Sequence, residues 1–129
     1  MSNWIIYYYE NDNQCEIAEF LDCLKSEQRA IAVAWIDQLA EHGPNLPRPY
    51  ADLLKDGIHE LRIKLSGNQE RILYFFVFKN YIVLTHQFTK HGGSVPEKEI
   101  KKAQEIRGDF KRRFKSIDDF KKYLNKMKK

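Results

Sequence analysis

The sequence lacks the features of secreted, membrane-bound and disulfide-stabilised proteins. Two cysteines in 129 residues are too few for a disulfide scaffold. No window approaches ~18 consecutive apolar residues, so we expect no transmembrane helix and no membrane partner. The first residues, which read MSNWII, lack the basic region and the small-residue cleavage site of a signal peptide. These absences favour a cytoplasmic protein.

The two cysteines also lack partners. Cys15 and Cys23 are predicted on one helix, where their separation corresponds to ~12 Å, beyond the ~7 Å reach of a disulfide. Neither has a second cysteine or a histidine at metal-ligand spacing. We therefore expect free thiols in a reducing compartment, no metal site and no cofactor.

Enough apolar residues are present for a packed core. Hydrophobic residues make up 43% of the chain and 17 residues are aromatic, which is too many for an intrinsically disordered protein. At ~100–200 residues per domain, the length predicts a single domain over residues 1–129.

Charge is divided unevenly along the chain. Residues 1–96 carry nine basic and twelve acidic groups, whereas residues 97–129 carry thirteen basic and six acidic groups. A basic C-terminal third is typical of proteins that bind a polyanion, most often nucleic acid. A solvated, lysine-rich helix pair without a ligand explains the same composition equally well.

The hydrophobic pattern predicts the element order β-α-α-β-β-β-α-α. A first strand is expected over residues 4–9, and amphipathic helices over 16–25 and 27–42, the second with Ile31, Ala34, Trp35 and Leu39 facing inward. Residues 44–57, with three prolines, read as an irregular connector. Three consecutive strands then form an antiparallel meander within residues 60–88.

Two helices are expected after the meander. Ser94 and Ser116 each precede an acidic residue by three positions, the pattern of a capping box. We therefore predict an α+β fold: a small antiparallel sheet with the N-terminal helical hairpin on one face and the C-terminal helices on the other. The last residues, about 115–129, are predicted as a basic helical extension.

The first strand of the meander alternates between an apolar and a charged face. If residues 66–69 form a four-residue loop, Lys64 lies directly opposite Arg71, with Arg62 one step along the same face. Like charges that face each other destabilise a sheet, which indicates that an anion lies between them. Glu60 is placed to offset Arg62 but not the other two cations.

A histidine is expected on the same face. If Lys79 and Asn80 form a two-residue turn, His86 lies opposite Leu73 and beside the cations. The C-terminal helices should cover the apolar residues expected on this face, leaving its basic end as an open cleft. Those residues are Leu73, Phe75, Val77, Ile82 and Leu84.

A phosphate site at this cleft and an ordinary solvated strand face are both compatible with the pattern. The alternative for His86 is a half-buried histidine with hydrogen-bond partners.

Residues 60–103 resemble the RelE/ParE toxin superfamily, in particular its HigB-type, phage-protein-like branch. That branch typically contains ELR-(I/V)-K, then R-(V/I)-L-Y, a strand ending in F-x-K-K, and P-x-x-E-I-x-x-A. The chain contains ELRIK, RILY, FTKH and PEKEIKKA at the corresponding places.

The resemblance implies a RelE-like fold and a metal-independent, ribosome-dependent mRNA endonuclease, the toxin of a toxin–antitoxin system. It implies three partners: the ribosome, mRNA and a helix-turn-helix antitoxin. Arg62 and Lys64 match strand cations that such enzymes place near the scissile phosphate, and Arg71 matches the arginine that opens the next strand. Lys90 matches the first lysine of F-x-K-K, and His91 replaces the second.

These residue types suit attack of an RNA 2′-hydroxyl on the adjacent phosphate. We assign Arg62 and Arg71 to stabilisation of the phosphorane and Lys64 to proton transfer or charge, with His86 or His91 as candidate acid. Basic residues of the C-terminal third are candidate RNA contacts: Lys98, Lys111, Arg112 and Arg113. The alternative function is a gyrase-inhibiting, ParE-like binding toxin without nuclease chemistry.

Overall fold

The computed structural model describes residues 3–127, which form an α+β fold with a five-stranded mixed sheet and four α-helices. The strands are β1 (Ile5–Tyr8), β2 (Ala51–Lys55), β3 (Ile58–Leu65), β4 (Asn68–Val77) and β5 (Tyr81–Lys90). The helices are α1 (Glu16–Cys23), α2 (Ser26–His42), α3 (Glu97–Arg113) and α4 (Ile117–Met127). The strands lie in the spatial order β1-β5-β4-β3-β2.

None of the helices within residues 3–127 is both long enough and apolar enough to cross a membrane. Cys15 and Cys23 are free thiols, as their spacing predicts.

The sheet differs from the prediction at both edges. β1 pairs with β5 in parallel, with Ile5 opposite Tyr81, so the prediction of a wholly antiparallel sheet is wrong. The α1–α2 hairpin supplies part of the long crossover that a parallel pair requires. At the other edge, residues 51–55 form β2 rather than part of a connector, and they pair with β3. The three prolines of the expected connector precede this strand, so none of them interrupts it.

The two helix layers lie on opposite faces of the sheet, as predicted. α1 and α2 pack on the face that carries Leu61, Ile63 and Ile72. α3 and α4 pack on the face that carries Leu73 and Phe75. Each face therefore has its own hydrophobic core.

Helix α4 is an integral part of the second core. The Ser116 hydroxyl accepts a hydrogen bond from the Asp119 backbone N–H at 3.2 Å, so the predicted cap at Ser116 is confirmed. Phe120 is fully buried, and its ring centroid lies 5.1 Å from those of Phe110 and Phe114. The predicted cap at Ser94 is wrong, because α3 begins after Pro96 without a side-chain cap.

Two of the four inward residues predicted for helix α2 are confirmed, since Leu39 is buried and Trp35 packs against the core. The other two predictions are wrong. Ile31 is 45% exposed and Ala34 is exposed, whereas Ala32 and Ile36 face the core. The helix ends at Gly43, whose φ is 52°. The Trp4 indole packs against this glycine so closely that a Cβ there would collide with the ring.

The β3–β4 turn contains two residues rather than four. Ser66 and Gly67 form it with φ values of 50° and 84°, and Leu65 pairs with Asn68. Arg62, not Lys64, therefore lies directly opposite Arg71. The register differs from the prediction by two residues, so each side chain keeps its predicted face.

The β4–β5 turn contains three residues rather than two, with Phe78 at a φ of 55°. A bulge near Thr85 restores the predicted pairing of His86 with Leu73. Between the turn and the bulge the register is shifted by one residue. Ile82 and Leu84 therefore face α1 and α2, contrary to the prediction, because a one-residue shift reverses the face.

Candidate nucleic-acid site

Four cations share one end of the sheet on the α3 face. Their side chains occupy two adjacent rows across β3, β4 and β5, with Cβ atoms of direct neighbours ~4.5–5.5 Å apart. The outer row contains Lys64, Gln69 and Lys90, and the inner row contains Arg62, Arg71 and Phe88. We call Arg62, Lys64, Arg71 and Lys90 the basic end of the sheet.

Glu60 neutralises part of this charge. Its carboxylate is 3% exposed and contacts both arginines of the inner row. Oε2 accepts hydrogen bonds from Arg62 Nε at 3.1 Å and Nη2 at 3.0 Å, and Oε1 lies 3.1 Å from Arg71 Nε. The expectation that nothing local offsets Arg71 is therefore wrong, because the register places Arg71 beside Glu60.

Arg71 is buried, with 5% of its surface exposed. Its Nη1 donates to the Glu70 carbonyl oxygen at 3.1 Å, and Nη1 and Nη2 donate to Gln69 Oε1 at 3.3 and 3.4 Å. Burial lowers the pKa of Arg71 and the Glu60 carboxylate opposes this shift. The guanidinium stays charged, since arginine is not deprotonated in proteins.

Lys64 is the most exposed of the four cations and Arg71 is the most buried. Lys64 is exposed, and Lys90 is half-exposed. Within residues 3–127 neither lysine makes an ion pair. Arg62 is intermediate: its side chain is 31% exposed and contacts Asp52 at 3.4 Å. Lys64, Lys90 and Arg62 are therefore all at least partly accessible to solvent, whereas Arg71 is not.

His86 lies on the same face but beneath α3, with 1% of its surface exposed. Its Nε2 lies 3.1 Å from Glu99 Oε1, and its Nδ1 lies 2.9 Å from Thr85 Oγ1. Burial lowers the pKa of His86, and the nearby Lys102 ammonium lowers it further. The expectation that His86 shares an open surface with the cations is wrong, since the first turn of α3 covers it.

The contacts of His86 constrain its protons. Thr85 Oγ1 donates to the Leu73 carbonyl oxygen at 3.1 Å, so it accepts from His86 Nδ1. Nε2 faces the Glu99 carboxylate, which is also an acceptor when ionised. Only the doubly protonated ring satisfies both contacts, and burial disfavours that form. The 3.1 Å contact between Nε2 and Glu99 links β5 to the first turn of α3.

The remaining predicted residues divide into two groups. His91 directly follows Lys90 and is exposed, as is Lys98 in the first turn of α3. Lys111 and Arg112 are exposed near the other end of α3, ~20 Å from Lys98 by helical rise. Arg113 is engaged within the chain, since it donates to the Glu10 carbonyl oxygen at 2.9 Å and lies 4.8 Å from the Phe114 ring centroid.

Sequence reasoning correctly paired Glu60 with Arg62 but missed its contact with Arg71. It also missed Gln69 and Phe88, which contact or neighbour Arg71. A two-residue Ser-Gly turn, which favours positive φ, would have indicated the correct register and the bridging position of Glu60.

A polar cavity of about 430 Å³ lies elsewhere, between the segment after β1 and α3. Its lining includes Tyr9, Glu16, Lys102 and Asp109. Because it contains none of the four cations, it is separate from the basic end of the sheet.

Residues 19–107 match the model of the family described as Phage derived protein Gp49-like (DUF891). The match covers more than half of the chain and includes all four cations of the basic end. No curated protein matches the chain. The chain therefore belongs to the Gp49-like family, a RelE-like family of toxins from toxin–antitoxin systems, and its membership implies an antitoxin partner.

Proposed function

We propose that this chain is a HigB-type toxin that cleaves mRNA on the ribosome and is neutralised by a helix-turn-helix antitoxin. The supporting observation is the basic end of the sheet, where four cations share one face in a member of a toxin family. A single-stranded RNA presents closely spaced phosphates, which such a surface attracts.

The two rows suit two different tasks. Lys64 and Lys90 are accessible and bind phosphates of the RNA backbone. Arg62 and Arg71 are held by Glu60, so they stabilise the charge that develops on the phosphorane. Preorganised donors of this kind are worth more where water is excluded. Phe88 lies opposite Arg71 and is partly exposed, which suits stacking against a nucleobase.

Proton transfer is assigned to groups that solvent can reach. Attack of the 2′-hydroxyl transfers its proton to a base, and the departing 5′ oxygen takes a proton from an acid. Lys64 is the candidate base, or else it supplies positive charge to the site. Exposed His91 is a better candidate acid than buried His86. Lys98 in the first turn of α3, and Lys111 and Arg112 near its other end, are further candidate RNA contacts.

Brief expression of the chain without its antitoxin tests this function. We expect growth arrest, with mRNA cut at discrete positions and intact DNA. Intact mRNA with damaged DNA would instead show gyrase inhibition, and robust growth with intact mRNA would contradict a toxin function.

A further inference from the structure

We propose that Glu60 is a positioning residue that raises kcat and lowers the affinity for RNA. This inference rests on the proposed nuclease function. Its carboxylate holds Arg62 and Arg71 in one fixed arrangement. The same carboxylate neutralises one positive charge of the site.

The geometry places one carboxylate between two guanidinium groups. Arg62 binds Glu60 Oε2 through two nitrogens, at 3.0 and 3.1 Å. Arg71 approaches the other oxygen with Nε at 3.1 Å. Because the arginines lie directly opposite each other, they would repel each other without this carboxylate.

The buried end of Arg71 is held by an ion pair rather than by an aligned hydrogen bond. The Nε–H of Arg71 and Oε1 of Glu60 are both shielded from solvent, yet their 3.1 Å contact is not aligned as a hydrogen bond within the described residues. The two Nη atoms instead extend towards Gln69 in the outer row. Glu60 thus anchors the guanidinium from the inside and leaves its outer edge facing the row that RNA would contact.

Two consequences follow if Glu60 loses its charge. The site gains one net positive charge, which strengthens phosphate binding. The arginines lose their common anchor, which weakens stabilisation of the transition state. A residue with a merely structural role would weaken binding and turnover together.

The test compares Glu60→Gln with Glu70→Gln. Glu70 is also buried, at 7% exposure, but its carboxylate lies on the other face and accepts from Gln87 and Thr89 at 2.7 Å. Affinity is measured with a single-stranded RNA oligonucleotide carrying 2′-methoxy groups, and turnover with mRNA-programmed ribosomes. Thermal unfolding establishes that each variant folds.

For Glu60→Gln we expect affinity for the oligonucleotide to rise about threefold and kcat to fall about 10–100-fold. For Glu70→Gln we expect both to stay within about twofold. The proposal is overturned if Glu60→Gln retains wild-type kcat, or if affinity and kcat fall together.

A second variant covers the case in which Glu60→Gln does not fold. Glu60→Asp keeps the charge on a shorter side chain that cannot reach both arginines. We expect unchanged affinity with a kcat reduced about tenfold, and unchanged kcat overturns the proposal. A wild-type protein that cleaves no mRNA would contradict the proposed function itself. If the wild type cleaves mRNA and the Glu60 variants cleave it at the same rate, only the role of Glu60 is contradicted.

Discussion

Arg62 and Arg71 lie directly opposite each other across β3 and β4. A cross-strand pair of like charges is normally destabilising, and here a single buried carboxylate, Glu60, contacts both. The arrangement keeps two arginines close together and still leaves the outer lysines to attract a polyanion. The arginines of the inner row are held by Glu60, and Lys64 of the outer row is exposed.

Arg71→Ala is expected to reduce both stability and activity. Removal of one partner from a buried ion pair leaves Glu60 with Arg62 alone, so we expect a loss of about 3 kcal/mol in the free energy of unfolding. Cleavage should fall about 10²–10³-fold. Urea unfolding and cleavage assays measure the two effects.

Lys64→Ala is the matched control for Arg71→Ala. This exposed lysine should change stability by less than about 0.5 kcal/mol and reduce the salt dependence of RNA binding. Equal stability of the two variants would show that the Arg71 ion pair contributes little.

Gln69→Glu is expected to weaken RNA binding about tenfold by placing a permanent anion next to Arg71 and between the two lysines. Gln69→Ala should bind at least as well as the wild type, because the amide oxygen that contacts Arg71 is removed. Asn68→Asp makes the same charge change on the other face and is the control. Equal losses for Gln69→Glu and Asn68→Asp would contradict a local effect.

Stability should fall as the pH drops below about 6.5, the ordinary value for histidine. Burial lowers the pKa of both His59 and His86, so below that value the unfolded chain binds more protons than the folded chain. The contribution of these histidines to the free energy of unfolding is therefore fully present above about pH 6.5 and is lost as the pH falls below it. The carboxylates of Glu99 and Glu16 oppose the shift at His86, and Lys102 adds to it.

Unfolding measured between pH 7 and 5 tests this prediction. His86→Gln should have a shallower pH dependence than the wild type, and a second substitution, His59→Gln, should flatten it further. An unchanged slope in both variants would show that neither histidine has a lowered pKa.

Phe120→Ala is expected to cost about 3–5 kcal/mol, because its ring is fully buried among aromatic side chains. Met127→Ala, at a residue of the same helix that is 53% exposed, should cost less than about 0.5 kcal/mol. Chemical denaturation of both variants makes the comparison. A small effect of Phe120→Ala would mean that α4 is a dispensable extension.

The common face of Arg62, Lys64 and Arg71 could be predicted because strand side chains alternate with a period of two. An error of two residues in the turn length changed which cations face each other but not which face they share. The same reasoning failed at Ile82 and Leu84, because the three-residue β4–β5 turn shifts the register by one residue until the bulge near Thr85 restores it. Local patterns do not reveal such a bulge.

The environments of His86 and Arg71 depend on residues far away in the sequence or on the exact register. His86 is enclosed because Glu99 of α3 reaches it, and Arg71 is paired because β3 brings Glu60 beside it. Both contacts are tertiary, so sequence periodicity predicts the elements and not these partners. Strand β2 was missed because the prolines before it are typical of loops.

The most direct test of the proposed chemistry is cleavage of ribosome-bound mRNA with a 2′-methoxy group at the cut site. If the RNA 2′-hydroxyl is the nucleophile, this substrate should bind and resist cleavage. Unmodified mRNA should yield a 2′,3′-cyclic or 3′ phosphate on one fragment and a 5′-hydroxyl on the other. Cleavage of the 2′-methoxy substrate at the normal rate, or products with 5′ phosphates, would contradict this mechanism.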